Sequence, residues 1–201
     1  MVEATIDNVD RTGMLRKPLW SFIRLLLGLI LSLHALTGSA DTLKVLTTFD
    51  SPDSDLDWRV VNDNVMGGRS VGGFEIAGGV LVFSGATNID GGGFSSVRTG
   101  PQDFKLGAFQ GLRLRVRGDG RTYTFRLSTD KTGVSYWARF PTQGDAWQDV
   151  ELPFSSFWPN WRGRKLDEAP VVPADIRELG IMINDKNDGP FKLEVGSIQA
   201  F

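Results

Sequence analysis

The stretch GLRLRVRGDGRTYTFRLST, residues 111–129, contains the pattern that decides the fold. Leu112, Leu114 and Val116 alternate with arginines, and apolar residues return at every second position after the Gly-Asp-Gly turn at 118–120. An apolar residue at every second position is typical of a β-strand that buries one face. The short glycine-containing turn between the two segments predicts that they form an antiparallel hairpin.

Seven further segments have a similar character, and each is bounded by turn-forming residues. They are residues 43–49, 79–85, 93–99, 134–140, 146–153, 176–185 and 191–200. The total is about ten strands, and the sequence has no strand–helix alternation of the kind that indicates a parallel sheet. We therefore predict an all-β fold, an antiparallel β-sandwich of the jelly-roll kind, with residues 154–173 as a long loop.

The N-terminal part of the chain has the pattern of an export signal. Arg16 and Lys17 precede an apolar run at residues 25–36, and residues 38–40 are the small Gly-Ser-Ala. This order of charged, apolar and small residues is typical of a secretory signal peptide. The apolar run is shorter than the roughly 20 residues that a membrane-spanning helix needs.

The signal prediction divides the chain into two parts. We predict that residues 1–40 are an extension and signal peptide, with Met14 as the true start and cleavage after Ala40, and that residues 41–201 are one domain. The predicted location is the periplasm or the extracellular space. The alternative is an uncleaved signal that anchors the protein to the inner membrane. We predict a contact with the membrane only through such an anchor.

The composition excludes several classes of function. The chain has no cysteine, and its one histidine, His34, lies in the predicted signal peptide, so the domain has no thiol or histidine for nucleophilic catalysis. The formal net charge is −2, whereas nucleic-acid binding normally requires a basic excess. We expect no catalytic residue, no cofactor and no nucleic-acid partner. We assign no metal ligand, although the sequence leaves open a structural calcium ion on an irregular loop.

Arginines form the first group of candidate binding residues. Arg113, Arg115 and Arg117 share one face of a predicted strand, and we expect Arg126 and Arg139 to join them from neighbouring strands. Two interpretations stand side by side. The arginines form cross-strand ion pairs on a solvated face, or they bind an anionic partner, because the guanidinium group matches carboxylate and phosphate geometry.

Tryptophans form the second group of candidates. Trp137 has the same strand parity as Arg139, so we expect its ring to be exposed, and exposed Trp rings on β-sandwiches can stack on sugars. Trp158 and Trp161 belong to the WPNW segment, residues 158–161, which is either a contact surface or a packed flap.

A glycine-rich stretch at residues 60–86 supplies the third group of candidates, Asn62, Asp63, Met66 and Ser70. Its paired glycines match neither common phosphate-binding pattern, and no helix follows them. They are typical of turns and bulges that need a positive φ. We predict that these polar residues form a site with Arg98 if residues 91–98 fold back beside them.

The same stretch carries a family resemblance. The matching residues are Trp58, Asn62, Asp63, Val65, Met66, Gly67, Gly68, Ser70, Phe83, Gly85, Gly92, Gly93, Phe94, Ser96, Val97 and Arg98. On these residues the chain resembles the complex I intermediate-associated protein 30 family, and the resemblance extends over nearly all of residues 45–201.

The resemblance implies a fold and a function. The fold is a galactose-binding-like jelly roll, and the function is that of a non-catalytic assembly module whose partner is a membrane protein complex or an assembly intermediate. Related jelly rolls that bind sugars use a strand and loop like residues 147–154. Carbohydrate binding at the cell surface or in the periplasm is therefore the alternative, with a glycan as the partner.

Overall fold

The computed structural model describes residues 43–50, 56–130 and 133–201. The predicted signal peptide, start site and cleavage site fall within residues 1–40 and lie outside the described residues.

Thirteen β-strands in the described residues form two antiparallel sheets, which confirms the all-β sandwich prediction. The strands are β1 Lys44–Thr47, β2 Arg59–Asn62, β3 Val71–Ala77, β4 Val80–Thr87, β5 Ser95–Arg98, β6 Gly111–Arg117, β7 Thr122–Thr129, β8 Ser135–Pro141, β9 Trp147–Pro153, β10 Trp158–Trp161, β11 Arg164–Lys165, β12 Ile176–Ile183 and β13 Gly189–Ala200. Short 3₁₀ turns lie at Asp63–Met66, Phe154–Ser156 and Pro173–Asp175. The first sheet has the order β3-β4-β13-β6-β9, with β1 also paired to β13, and the second sheet has the order β11-β10-β8-β7-β12-β5-β2.

The core lies between the two sheets and is built from the alternation in residues 111–129. Leu112 and Leu114 of β6 are fully buried from the first sheet, and Tyr123 and Phe125 of β7 are fully buried from the second. Each such side chain contributes about 1.5–3 kcal/mol by leaving water. The residues that alternate with these buried side chains lie on the outer faces of the two sheets. A binding site on either sheet is therefore formed by these outward-facing residues.

The predicted hairpin at residues 111–129 does not form. Strand β6 pairs with β13 and β9, whereas β7 pairs with β12 and β8, so the turn after β6 crosses from one sheet to the other. The alternation was consistent with both arrangements, because either one buries the apolar face in the same core. Arg126 and Arg139 consequently lie in the second sheet rather than beside the arginines of β6.

Other differences concern short strands. The WPNW segment is strand β10, paired to β8, and is not part of a long loop. Strand β3 was not predicted, because Gly72 and Gly73 interrupt its pattern. A Cβ at Gly72 would lie 1.9 Å from Ser95 Oγ, so the glycine marks a close approach between β3 of the first sheet and β5 of the second.

Candidate functional site

Asp63 is a buried carboxylate that joins two loops. It is fully buried and accepts hydrogen bonds from Ser70 N and Oγ at 2.8 and 2.6 Å, from Gly93 N at 2.7 Å and from Phe94 N at 3.2 Å. Burial alone would raise the pKa of Asp63, but these hydrogen bonds outweigh it and lower the pKa below its ordinary value. The carboxylate is therefore ionised and fixes the loop at 63–70 to the loop at 88–94.

The glycines of the motif allow this close approach. A Cβ at Gly68 would lie 2.3 Å from Asp63 Cγ, and a Cβ at Gly92 would lie 2.6 Å from Asp63 Cβ. Asn62 adds a link between strands, since its Nδ2 donates to the Gly72 carbonyl at 3.1 Å and its Oδ1 accepts from Ser95 Oγ at 2.6 Å. Asn62, Asp63 and the glycines therefore hold the two loops in place.

The two anchored loops present apolar side chains to solvent. Val65 is 69% exposed, Met66 is 61% exposed and Ile89 is 48% exposed. The loops lie against each other, because a Cβ at Gly91 would be 3.2 Å from the Gly67 carbonyl oxygen. We call Val65, Met66 and Ile89 the apolar rim.

A groove of about 700 Å³ lies beside the apolar rim on the outer face of the second sheet. Its cationic lining residues are Arg98, Arg126, Arg139, Arg162 and Lys186. Its larger apolar lining residues are Met66, Ile89, Phe94, Trp137 and Met182. None of the described residues that line the groove is acidic. We call this feature the cationic groove.

Strand register places two arginines side by side on the groove floor. Arg98 of β5 and Arg126 of β7 are both paired with Gly180 of β12. A Cβ at Gly180 would lie 3.2 Å from the Cγ atoms of both arginines, so their side chains flank the bare glycine. Trp137 continues the row because it is paired with Arg126, and its indole Nε1 donates to Ser135 Oγ at 2.8 Å.

The electrostatic environment of these arginines is unbalanced. Burial lowers the pKa of Arg126 to about 10, and the positive charge of Arg98 acts in the same direction. Burial likewise lowers the pKa of Arg98, the negative charge of Glu178 opposes this effect, and the positive charge of Arg59 adds to it. Glu178 is shared, since it lies 2.8 Å from Arg59 and 3.9 Å from Arg126. Arg98 Nε donates to the neutral hydroxyl of Ser96 at 3.0 Å.

The structure separates the predicted site residues into groups. Met66, Arg98, Trp137 and Arg139 come together at the cationic groove. Asn62, Asp63 and Ser70 lie in the anchor between the loops. Residues 91–98 do fold back beside Asp63, through Gly93 and Phe94, while Arg98 lines the groove.

The arginines of β6 lie on the outer face of the first sheet, where each has a carboxylate partner. Arg113 pairs with Glu151 at 2.7 Å, Arg115 pairs with Asp149 at 3.3 Å, and Arg117 pairs with Glu194. Both Arg115 and Arg117 also lie over the ring of Trp147, at 5.8 and 5.2 Å from its centroid. This surface therefore carries compensated charge, unlike the cationic groove.

The remaining predicted tryptophans lie in β10. Trp158 is paired in register with Trp137, and Trp161 is 41% exposed with the Arg162 guanidinium 5.2 Å from its ring centroid. Sequence reasoning did not identify Gly180 and Met182 as site residues, because both stand in a segment whose apolar run gave no indication of which parity faced outward.

The described residues also bear on two other kinds of feature, a metal centre and a membrane-spanning helix. They contain no group of three or more His, Cys, Asp or Glu residues placed to hold a metal ion. In the part of the chain that the structure describes, no helix is long and apolar enough to cross a membrane.

Comparisons with known proteins identify relatives over most of this domain. The family model for complex I intermediate-associated protein 30 matches residues 47–195. The mitochondrial complex I intermediate-associated protein 30 of Mus musculus is 38% identical over 100 residues, which are 46% of this chain and 30% of that protein. The mitochondrial protein of the same name from Drosophila melanogaster is 29% identical over 178 residues, which are 75% of this chain and 60% of that protein. The chain therefore spans less than two thirds of these relatives.

Solved structures with the same fold include carbohydrate-binding modules. The family 11 module of the Clostridium thermocellum cellulase Lic26A-Cel5E has a TM-score of 0.60 at 16% identity, covering 81% of this chain and 96% of the module. The family 11 module in complex with a β-1,3-1,4-mixed-linked tetrasaccharide has a TM-score of 0.56 at 14% identity, covering 79% and 95%. At these identities the likeness establishes the galactose-binding-like fold alone.

The relatives correct the predicted location. We expected a periplasmic or secreted protein, with an inner-membrane anchor as the alternative, from the signal-like pattern in residues 1–40. That prediction was wrong, because the named relatives from mouse, fly and Caenorhabditis briggsae are mitochondrial proteins, which points to the mitochondrion. An apolar run behind two basic residues is a local pattern that does not by itself identify the membrane system.

Proposed function

The chain belongs to the complex I intermediate-associated protein 30 family, and from that premise we propose that it is a non-catalytic module that binds an assembly intermediate of complex I in the mitochondrion. The partner is a protein, and the contact surface is the apolar rim together with the adjoining cationic groove. The relatives that carry the name are the basis for the assembly role.

The observation that carries this proposal is the anchored apolar rim. Val65 and Met66 are more than half exposed, yet the loop that bears them is held by a buried, ionised Asp63. Burying a carboxylate costs free energy that the surrounding hydrogen bonds must offset. Exposed apolar surface on a rigid support, next to a charged groove, is typical of a protein interaction site.

The groove chemistry favours binding over catalysis. None of its described lining residues is His, Cys, Asp or Glu, which are the side chains that most often act as general acids, bases or nucleophiles. The lysine and arginines that line it are suited to binding anions rather than to proton transfer at neutral pH.

The first prediction tests the assembly role in cells of the source organism. The gene is deleted and replaced by the wild type, by a Val65→Ser/Met66→Ser variant or by Val45→Ser, which removes an apolar side chain that is 54% exposed on β1 of the first sheet. We expect deletion to lower NADH:ubiquinone oxidoreductase activity and to accumulate assembly intermediates on native gels. Wild type and Val45→Ser should restore the activity, whereas the rim variant should restore little of it.

Two outcomes would contradict this proposal. Unchanged complex I activity after deletion would remove the assembly role. Full rescue by the rim variant, present at wild-type abundance, would show that the partner binds elsewhere.

Carbohydrate binding is the second candidate, and Trp137 is the observation in its favour. Its ring lines the groove on the second sheet, in a fold shared with carbohydrate-binding modules. Five cations beside one tryptophan suit a neutral sugar poorly, so we expect no heat of binding when a β-1,3-1,4-mixed-linked tetrasaccharide is titrated into the protein. Saturable binding that disappears in Trp137→Ala would instead favour this second function.

A further inference from the structure

We propose that Arg98 and Arg126 form a carboxylate-binding site on the floor of the cationic groove, and that it receives an acidic side chain from an extended segment of a partner protein. This inference rests on the proposed function, because it takes the partner to be a protein. It adds the chemical class of the segment and the residues that recognise it.

The geometry of the sheet creates the site. Gly180 lies between Arg98 and Arg126 in the strand register and provides no side chain to separate them. Both arginine stems would be 3.2 Å from a Cβ at this position, so they lie against the bare glycine from the two sides of β12. Two guanidinium groups that line the same groove offer several N–H donors, which suits the two oxygens of a carboxylate.

The charge balance of the site leaves room for an anion. The Arg126 side chain is 14% exposed, and the Glu178 carboxylate lies 3.9 Å from it but 2.8 Å from Arg59. Arg98 and Arg126 are both half-buried. Like charges in such a position repel each other, and an anion between them would relieve that repulsion and replace the lost hydration. By contrast, Arg113, Arg115 and Arg117 on the first sheet each have their own carboxylate within 4 Å.

The walls of the groove favour a peptide over an acidic sugar or free phosphate. Phe94, Trp137 and Met182 line the same groove as the two arginines, so a ligand that fills it needs apolar as well as anionic groups. An extended peptide meets this requirement because its side chains alternate between two directions. Arg139 and Lys186 are exposed at the groove and would attract an acidic segment before it docks.

The second prediction uses isothermal titration of the protein with a capped hexapeptide of alternating Glu and Leu. Its matched probe is the same peptide with Gln in place of Glu. We expect the Glu peptide to bind at low salt and the Gln peptide to bind about tenfold or more weakly, because each charge-assisted hydrogen bond that is lost weakens binding by about that factor. Arg126→Gln and Arg98→Gln should each weaken the Glu peptide by a similar factor, whereas Arg115→Gln should not.

Thermal unfolding of every variant checks that it folds. If Arg126→Gln does not fold, the affinity of Arg98→Gln for the Glu peptide provides the test. Equal binding of the Glu and Gln peptides, or an unchanged affinity in both folded groove variants, would overturn the carboxylate site. Tighter binding of an oligogalacturonate than of the Glu peptide would overturn the assignment to a protein segment.

The complementation assay separates this inference from the proposed function. If Arg98→Gln/Arg126→Gln binds no Glu peptide but restores complex I fully, the carboxylate site does not serve assembly and the inference fails while the assembly role stands. If gene deletion leaves complex I unchanged, the assembly role fails whatever the peptide does.

Discussion

At the scale of single residues, Asp63 changes the meaning of the most recognisable motif in the chain. Its polar and glycine residues resemble a ligand-binding cradle in the sequence. In the fold, the Asp63 carboxylate accepts hydrogen bonds from Ser70, Gly93 and Phe94. Gly68 has no side chain, which allows the backbone to approach the carboxylate. The motif therefore acts on function indirectly, by fixing the loops that bear the apolar rim.

The third prediction concerns Asp63→Asn. The amide group would replace an acceptor oxygen with a donor that faces other donors, so buried hydrogen bonds would be lost. We expect the free energy of unfolding in urea to fall by roughly 2–3 kcal/mol. Asp90→Asn, an exposed change on the second of the joined loops, should alter it by less than about 0.5 kcal/mol. An equal effect of the two substitutions would show that the buried carboxylate does not hold the loops together.

The sequence analysis gave the return of residues 91–98 toward Asp63 as a condition of the site, but it did not identify the donors that bind the carboxylate. The residues of the motif, Asn62 to Ser70, are contiguous and were identified at once. Two of the donors to Asp63, Gly93 and Phe94, lie about thirty residues further along the chain. Backbone N–H groups carry no signature in a sequence, so their role appears only when the strands are paired.

At the scale of elements, the connections between strands were harder to predict than the strands themselves. Alternation identified the buried faces of β6 and β7 correctly, since Leu114 and Phe125 are both fully buried. The glycine-containing turn after β6 suits a hairpin or a crossing between sheets equally well, and here it crosses. The connection from β12 to β13 crosses in the same way, because these strands belong to different sheets.

Arg121 holds both of these crossings. Its Nε and Nη2 donate to the two carboxylate oxygens of Asp185 at 3.0 and 2.5 Å, after β12. It also donates to the carbonyls of Asn187 and Pro190 at 2.8 and 3.0 Å, and to Thr87 Oγ1 at 3.0 Å. One side chain just before β7 thus joins elements of both sheets.

The fourth prediction is that Arg121→Met destabilises the domain strongly. It would leave Asp185, whose side chain is 8% exposed, without its cation, and losing one partner of a buried pair costs about 3 kcal/mol or more. The matched control is Arg113→Met, whose partner Glu151 is 54% exposed, and it should cost less than about 1 kcal/mol. Urea unfolding of both variants measures the difference, and similar losses would contradict the role of Arg121 at the crossings.

At the scale of the whole molecule, the two sheets differ in how they use charge. The formal net charge of −2 gives no indication of a cationic surface. The outer face of the first sheet places each arginine of β6 opposite or beside a carboxylate, as Arg113 and Glu151 illustrate in register. The second sheet places Arg98, Arg126 and Arg139 in a groove whose described lining is free of acids. The distribution of arginines between the two sheets depends on which strand belongs to which sheet. Composition and alternation therefore could not predict it.

The fifth prediction follows from three carboxylates whose pKa values the fold lowers. For Glu194 the main cause is its hydrogen bond with Arg117, and for Asp63 and Asp185 hydrogen bonds outweigh the opposing effect of burial. Each folded pKa is therefore below its ordinary value, 3.8 for aspartate and 4.5 for glutamate. The stability they contribute is complete above those values and is lost as the pH falls through the folded pKa values.

We expect the free energy of unfolding to decrease steeply below about pH 4, while these three groups add no pH dependence between about pH 6 and 8. Urea titrations across this range measure the curve. In Asp63→Asn the free energy of unfolding should decrease less steeply with falling pH, because the variant has no carboxylate at position 63 to bind a proton when the chain unfolds. An acid limb with the same slope in wild type and Asp63→Asn would mean that the fold does not lower the pKa of Asp63, and the hydrogen bonds from Ser70, Gly93 and Phe94 would then not favour its ionised form.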